Sequence, residues 1–236
     1  MSRFAEYAPL LLTGFVYSLW LTFAVSVIGI ALAMCLGVLL AGSHRRTARS
    51  VQFFVDFVRG LPFLVVMFWL FYGLPTAFPN IRLPAELVAI GGLSLYGGCY
   101  GAEVVRGVFA AIPKGQRDAA HALHLPWRRR LFRIMLPQMA PLLLPRFANL
   151  SIEQMKVTAI VSFISLHDLA FWSGQIRRTT GETEVVYLAT LVLYFVIALL
   201  LSLIFRGLEA LTPLRRIERA RRRRTQTPGG HAAIAG

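Results

Sequence analysis

Charge is what this chain has least of. Only 15% of its 236 residues are Asp, Glu, Lys or Arg, against 56% hydrophobic, where a soluble domain carries about 25% charged residues. That shortage excludes an ordinary water-facing globule, and the chain reads as an all-α integral membrane protein. Lysine is nearly missing: Lys114 and Lys156 are the only two, so the basic character is almost all arginine. Neither stands in a Gly-Lys-Ser/Thr context, since Lys114 lies between Pro113 and Gly115 and Lys156 between Met155 and Val157. A phosphate-binding P-loop needs that context, so any ATP hydrolysis that serves this chain takes place on another polypeptide. Cysteine is scarce too. Cys35 and Cys99 both sit in apolar runs, which supports buried thiols rather than a disulfide framework or a metal site. The five histidines, His44, His121, His124, His167 and His231, fall into no metal-ligand spacing. With no Gly-x-Ser-x-Gly and no Cys/His nucleophile arrangement, the chain offers no enzyme site and requires no cofactor of its own.

What is present is a series of apolar runs. Thr13 to Ala41 contains no charged residue, and at about 1.5 Å per residue it exceeds a hydrocarbon core of roughly 30 Å. It is too long for a signal-peptide core and no basic region precedes it, so a retained span is expected. Further spans are expected at 60–81, 84–112, 139–166 and 185–205, giving about five, with a short external segment at 1–12. The net charge of +14 would suggest nucleic acid in a soluble protein. Here the positive-inside rule accounts for it without any nucleic-acid partner. Loop 42–50, segment 113–138 and the tail from 206 carry 17 basic residues, against 4 on the other side. That split places the amino terminus outside and the carboxyl terminus in the cytoplasm. The end of the chain, 213–236, reads as a basic juxtamembrane cluster with a disordered end, attracted to anionic lipid.

Segment 113–138 is the least membrane-like stretch. Ala119, Ala120, Ala122 and Leu123 favour a helix, and Pro126 suits the first position of a second one. In "PWRRRLFRIMLP" the apolar residues Trp127, Leu131, Ile134 and Met135 share one face, with Arg128, Arg129, Arg130 and Arg133 mostly off it. Two short helices are expected, ending at Pro137. Two uses fit: an interfacial helix lying on lipid, or a docking element for a cytoplasmic partner.

The stretch "DAAHALHLPWRRRLFRIMLPQ" resembles the EAA loop of ABC-importer permease subunits, whose pattern is Glu-Ala-Ala, a Gly four residues on, then Ile-x-Leu-Pro. Asp118, Ala119 and Ala120 fill the first part and Ile134, Leu136 and Pro137 the last, in register. Asp118 replaces the usual Glu and His124 the usual Gly. "LLTGFVYSLWLT", "DFVRGLPFLVVMFWLFYGLP", "YGAEVVRGVFAAIPKGQ" and "KVTAIVSFISLHDL" are similar to further segments of the polar amino-acid permease branch. The resemblance covers about residues 10–211. It implies a type I importer permease fold over 13–212 in a bacterial inner membrane. The implied partners are a second permease subunit, identical or related, a dimer of ATP-binding subunits that carries ATP and Mg, and an external substrate-binding protein. The loop is then the coupling element that docks on the ATPase. An ATP-independent channel or secondary carrier, with a lipid-bound loop, is the alternative.

Charges inside spans complete the reading. Insertion scales put Arg, Lys or Asp at a helix centre roughly 2.5–3.5 kcal/mol uphill, so such groups need partners. Glu103 and Arg106, three apart near the cytoplasmic end of the third span, are expected to form a structural ion pair. Glu153 and Lys156 are a second i, i+3 pair, near the middle of the fourth. A zwitterionic amino acid needs both an anion and a cation, so Glu153, Lys156 and Thr158 are candidates for the translocation path, with an internal pair bridging to a neighbouring helix as the alternative.

Overall fold

The computed structural model describes residues 2–42, 44–80, 82–113, 115 and 124–212. Every regular element among them is helical: α1 (Ser2–Gly42), α2 (Arg45–Gly60), α3 (Phe63–Ala77), α4 (Ala85–Ala111), α5 (Trp127–Ile164), α6 (Leu169–Thr180) and α7 (Thr183–Leu211). Three helices, α1, α4 and α7, are each long and apolar enough to cross a membrane. The count reaches five if α2 with α3, and α5 with α6, each make one bent span.

α1 and α4 form the centre. The buried face of α1 runs through Ser18, Thr22, Ser26, Gly29, Ala33 and Gly37, small residues at helical spacing. Between helices in lipid there is no hydrophobic drive, so association relies on close packing, and small residues allow it. Gly37 is the tightest point: a methyl group there would run into the Val105 side chain and stand 2.8 Å from the Ala102 carbonyl. At the far end of α1, a methyl on Gly42 would collide with the ring of Trp127. One core cluster gathers at the Gly37 end of this pair and takes in Val105, Val108, Phe109, Leu131, Met135 and Met139. Another packs Leu21, Val25, Phe63, Met67 and Leu93 on the opposite side.

Several boundaries differ from the expected ones. α1 begins well before residue 13, because Arg3, Glu6 and Pro9 do not stop the helix. The segment at 42–50, expected as loop, is mostly the start of α2. Its arginines end a hydrophobic window without ending a helix. α2 turns into α3 through a 93° bend at Leu61–Pro62, where proline supplies no N–H and biases its predecessor away from the helical region. The expected fourth span belongs to α5, which starts at Trp127, not 139, and Pro137 lies inside it. α6 falls between the expected spans 139–166 and 185–205, and has both ends marked. Asp168 caps it by accepting from the Phe171 N–H at 2.9 Å, and Gly181 ends it at φ 74°.

Both wide π-helical turns in the chain's described part end two residues before a proline. Trp69–Gly73 precedes Pro75, and Arg130–Met135 precedes Pro137. A proline ring clashes with the carbonyl four residues back, here of Phe71 and Arg133, each within a π-turn. The widened turn gives that carbonyl room, so the helix continues. Pro141 and Pro145 follow inside α5 without such a turn.

Candidate functional site

Three groups of residues concern function. In the expected coupling segment, Asp118, Ala119 and Ala120 lie outside the described residues. His124 is described, and its φ of 51° puts it in the left-handed region, which costs a non-glycine residue about 1–2 kcal/mol. That is the position where the EAA pattern has glycine, so the backbone keeps the turn although the residue has changed. Pro126 then precedes the first turn of α5. Trp127, whose role the periodicity did not show, seats this helix start. It fits over Gly42 of α1, lies 6.2 Å from the Phe109 ring of α4, and has the Arg130 guanidinium 5.6 Å above its own ring. Leu131 and Met135 are buried, Ile134 and Leu136 half-buried, and Pro137 exposed. The apolar face of the segment is therefore spent on α1 and α4 rather than on lipid.

The second group joins α2 to α4. Arg106 meets Glu103 with Nε to Oε2 at 2.8 Å and Nη2 to Oε2 at 2.6 Å. Gln52 donates to the other carboxylate oxygen, Oε1, at 2.8 Å, and to Asp56 at 3.0 Å. Asp56 in turn lies 3.7 Å from Arg59, whose guanidinium sits 4.9 Å over the Tyr100 ring. Tyr100 closes the set by donating to the Arg59 carbonyl at 3.4 Å. The ion pair is thus one edge of a larger polar cluster. Gln52 and Arg59 were hidden from sequence reasoning because they fall between the expected loop, 42–50, and the expected span from 60, where no helix was expected.

The third group lies on α5, and the structure separates it. Glu153 opens into a cavity of about 100 Å³ between α4 and α5, with Tyr96, Tyr100 and Gln154. Lys156 lines a different recess of about 500 Å³, between α5 and α7, with Tyr187, Tyr194 and Phe195. Among the described residues no ion pair joins the two. Thr158 is fully buried and its hydroxyl donates to the Met155 carbonyl at 2.7 Å. Gln154, not singled out beforehand, bridges helices by donating to the Leu93 carbonyl at 2.8 Å. No group of three or more His, Cys, Asp or Glu side chains able to hold a metal occurs among the described residues.

A helical bundle with a polar cluster between α2 and α4, and an Arg-rich helix start seated on α1 and α4, was then compared with known proteins. The family model for the binding-protein-dependent transport system inner membrane component covers residues 29–212. The chain belongs to that family. Among similar binding-protein-dependent permeases, the probable amino-acid ABC transporter permease protein y4tF of Sinorhizobium fredii is 40% identical over 161 residues, 66% of this chain and 68% of that protein. The glutamine transport system permease protein GlnP of Escherichia coli is 32% identical over 206 residues, 85% of this chain and 92% of its own length. A crystal structure of an amino acid ABC transporter with histidines superposes with a TM-score of 0.77 at 26% identity, over 87% of this chain and 95% of that one. The MetNI methionine ABC transporter, facing inward, gives 0.77 at 20% identity and supports the fold alone. Membership favours the importer subunit over an ATP-independent channel or carrier. Permeases of this family are not themselves catalysts, and ATP hydrolysis belongs to a separate subunit.

Proposed function

We propose that this chain forms half of the translocation pore of an ATP-driven importer of polar amino acids in a bacterial inner membrane. The observation that carries the reading is breadth of similarity: relatives named as amino-acid permeases, and a solved amino-acid transporter, match most of the chain rather than one motif. The partners are a second permease subunit, a pair of ATP-binding subunits and an external binding protein. The carboxyl terminus is cytoplasmic, as is the segment from 113 to 138, which docks on the ATPase. Asp118, Ala119 and Ala120 make the contact, and the seat of Trp127 on α1 and α4 passes the motion on as rigid-body displacement. Glu153, Lys156 and Thr158 belong to the stretch of α5 that borders the path. In the conformation described, Glu153 is the one that opens toward α4.

The deciding experiment reconstitutes the full complex and measures ATPase activity across an amino-acid panel. Stimulation by polar amino acids, delivered by the binding protein, is expected. Uptake that proceeds without an ATPase subunit would sink the reading. The loop has its own test: Asp118→Lys is expected to leave membrane insertion intact while the ATPase no longer co-purifies.

A further inference from the structure

We propose that the groove between α1 and the start of α5 binds an anionic phospholipid of the cytoplasmic leaflet. One acyl chain lies in the groove, and the headgroup phosphate sits on Arg128 and Arg129. The inference rests on the cytoplasmic placement of segment 113–138 proposed above and goes beyond the pore. The groove has a volume of about 500 Å³. Cys35, Val38 and Leu39 of α1 form one wall, and Leu131, Phe132 and Leu136 of α5 the other. None of these side chains offers a partner to a charged or strongly polar solute. A hydrocarbon chain is what such walls accept.

The groove lies on a side of α1 that the other helices leave open. Leu36 and Leu40 pack into the seam of Val55, Cys99 and Ala102 formed by α2 and α4, and Gly37 faces α4. Cys35 and Leu39 point to a third side, where among the described residues only α5 stands beside them. Phe132 is 63% exposed and Leu39 42%. The groove also has a direction. Gly42 fits against Trp127 at the start of α5, and at about 1.5 Å per residue Cys35 is roughly 10 Å further along α1. The groove therefore runs from the membrane surface into the hydrocarbon, as a lipid chain does.

Charge at the mouth fixes the kind of lipid. Arg128 and Arg129 precede Phe132 by four and three residues, about one turn toward the surface, and both are exposed. Arg130 differs, since its guanidinium is held over the Trp127 ring. Among the described residues no carboxylate pairs with Arg128 or Arg129. Guanidinium groups bind phosphate through paired hydrogen bonds. A long arginine side chain can lay its stem on apolar surface while its head stays in water. A zwitterionic lipid brings its own ammonium to the phosphate, whereas a lipid of net negative charge leaves it for the two arginines.

The test titrates the purified full complex with phosphatidylglycerol or with phosphatidylcholine of the same chains. Native mass spectrometry reads the affinity of the tightest-bound lipid. The unsubstituted complex is expected to prefer phosphatidylglycerol. Arg128→Gln with Arg129→Gln is expected to weaken that lipid roughly tenfold and to leave phosphatidylcholine unchanged. Arg128→Lys with Arg129→Lys retains most of the affinity. Leu39→Trp, which fills the groove and keeps the charges, weakens both lipids. Equal affinity for the two lipids overturns the proposal, as does Leu39→Trp without effect. Displacement of the lipid by inorganic phosphate also overturns it, because that marks an anion site without a chain. Loss of the ATPase subunits from the double Gln variant, with phosphatidylglycerol bound as before, assigns the arginines to the ATPase and overturns it too. A carboxyl-terminal epitope in sealed right-side-out vesicles scores the orientation separately, so failure of that reading is told apart from failure of the lipid site.

Discussion

α4 touches two of its neighbours, α1 and α2, in opposite ways. Against α1 it is dry and close, with glycine and small side chains letting backbones approach until no methyl fits at Gly37. Against α2 the apolar seam of Val55, Cys99 and Ala102 is bordered by a polar cluster in which Gln52, Glu103 and Arg106 exchange hydrogen bonds. The first contact is specified by shape, and shape in a packed interface has few alternatives. The second is specified by charge and hydrogen bonds, which can be remade with other partners or with water. A transporter needs both: a fixed pair to carry motion, and an interface that can come apart and re-form. The 93° bend at Leu61–Pro62 lies next to the second contact, where α2 leads into α3.

The largest effect should come from breaking the dry contact. Gly37→Leu forces a side chain into Val105 and the Ala102 carbonyl, and overpacking of this kind costs about 1–3 kcal/mol or more. A marked drop in detergent-solubilised yield and in thermal midpoint is expected; near-normal values would show that the α1–α4 contact is looser than described. A smaller effect belongs to the polar contact. A double-mutant cycle of Gln52→Ala with Glu103→Gln, read by thermal unfolding, should give a coupling energy near the roughly 0.6 kcal/mol found on average for hydrogen bonds between membrane helices. Zero coupling would mean that Gln52 only fills space. The smallest change is Arg106→Lys. Arg106 is about half exposed and Glu103 is 17% exposed, and lysine keeps the charge while losing the planar fork. A loss under about 0.5 kcal/mol is expected, the range of a surface i, i+3 pair; a larger one would place the pair in a drier setting.

Legibility in the sequence follows the same division. α4 could be read almost to its ends, with Glu103 and Arg106 correctly taken as partners in one turn, because apolar length and charge spacing are local signals. The contact with Gln52 could not, since it spans 51 positions and depends on α2 being a helix. Counting arginines disguised the first turns of α2 as the loop 42–50. Pro137 was read as a stop because proline usually is one, and only the π-turn before it explains why α5 runs through. α6 was missed despite Asp168 before it and Gly181 after it, start and stop signals that were available. The register of Ile134, Leu136 and Pro137 with His124 was visible in the sequence. That His124 holds a left-handed turn was not, because histidine carries no such signal. Glu153 and Lys156 looked like a pair by spacing alone, yet i and i+3 side chains diverge by about 60° on an α-helix, and here Glu153 turns to the recess beside α4 and Lys156 to the one beside α7.

Synthesis of such a chain is uneven. A ribosome feeding the membrane delivers α1 before the others, and α1, α4 and α7 are each long and apolar enough to cross a bilayer as a single helix. The two bent pairs come between them. Each is a weak insertion signal, interrupted by a sharp corner and carrying charge, and each waits on a strong neighbour to hold it at depth. Self-sufficient and dependent segments therefore leave the translocon in alternation. Truncated nascent chains with engineered glycosylation sites are expected to show α2–α3 settling only once α4 has emerged.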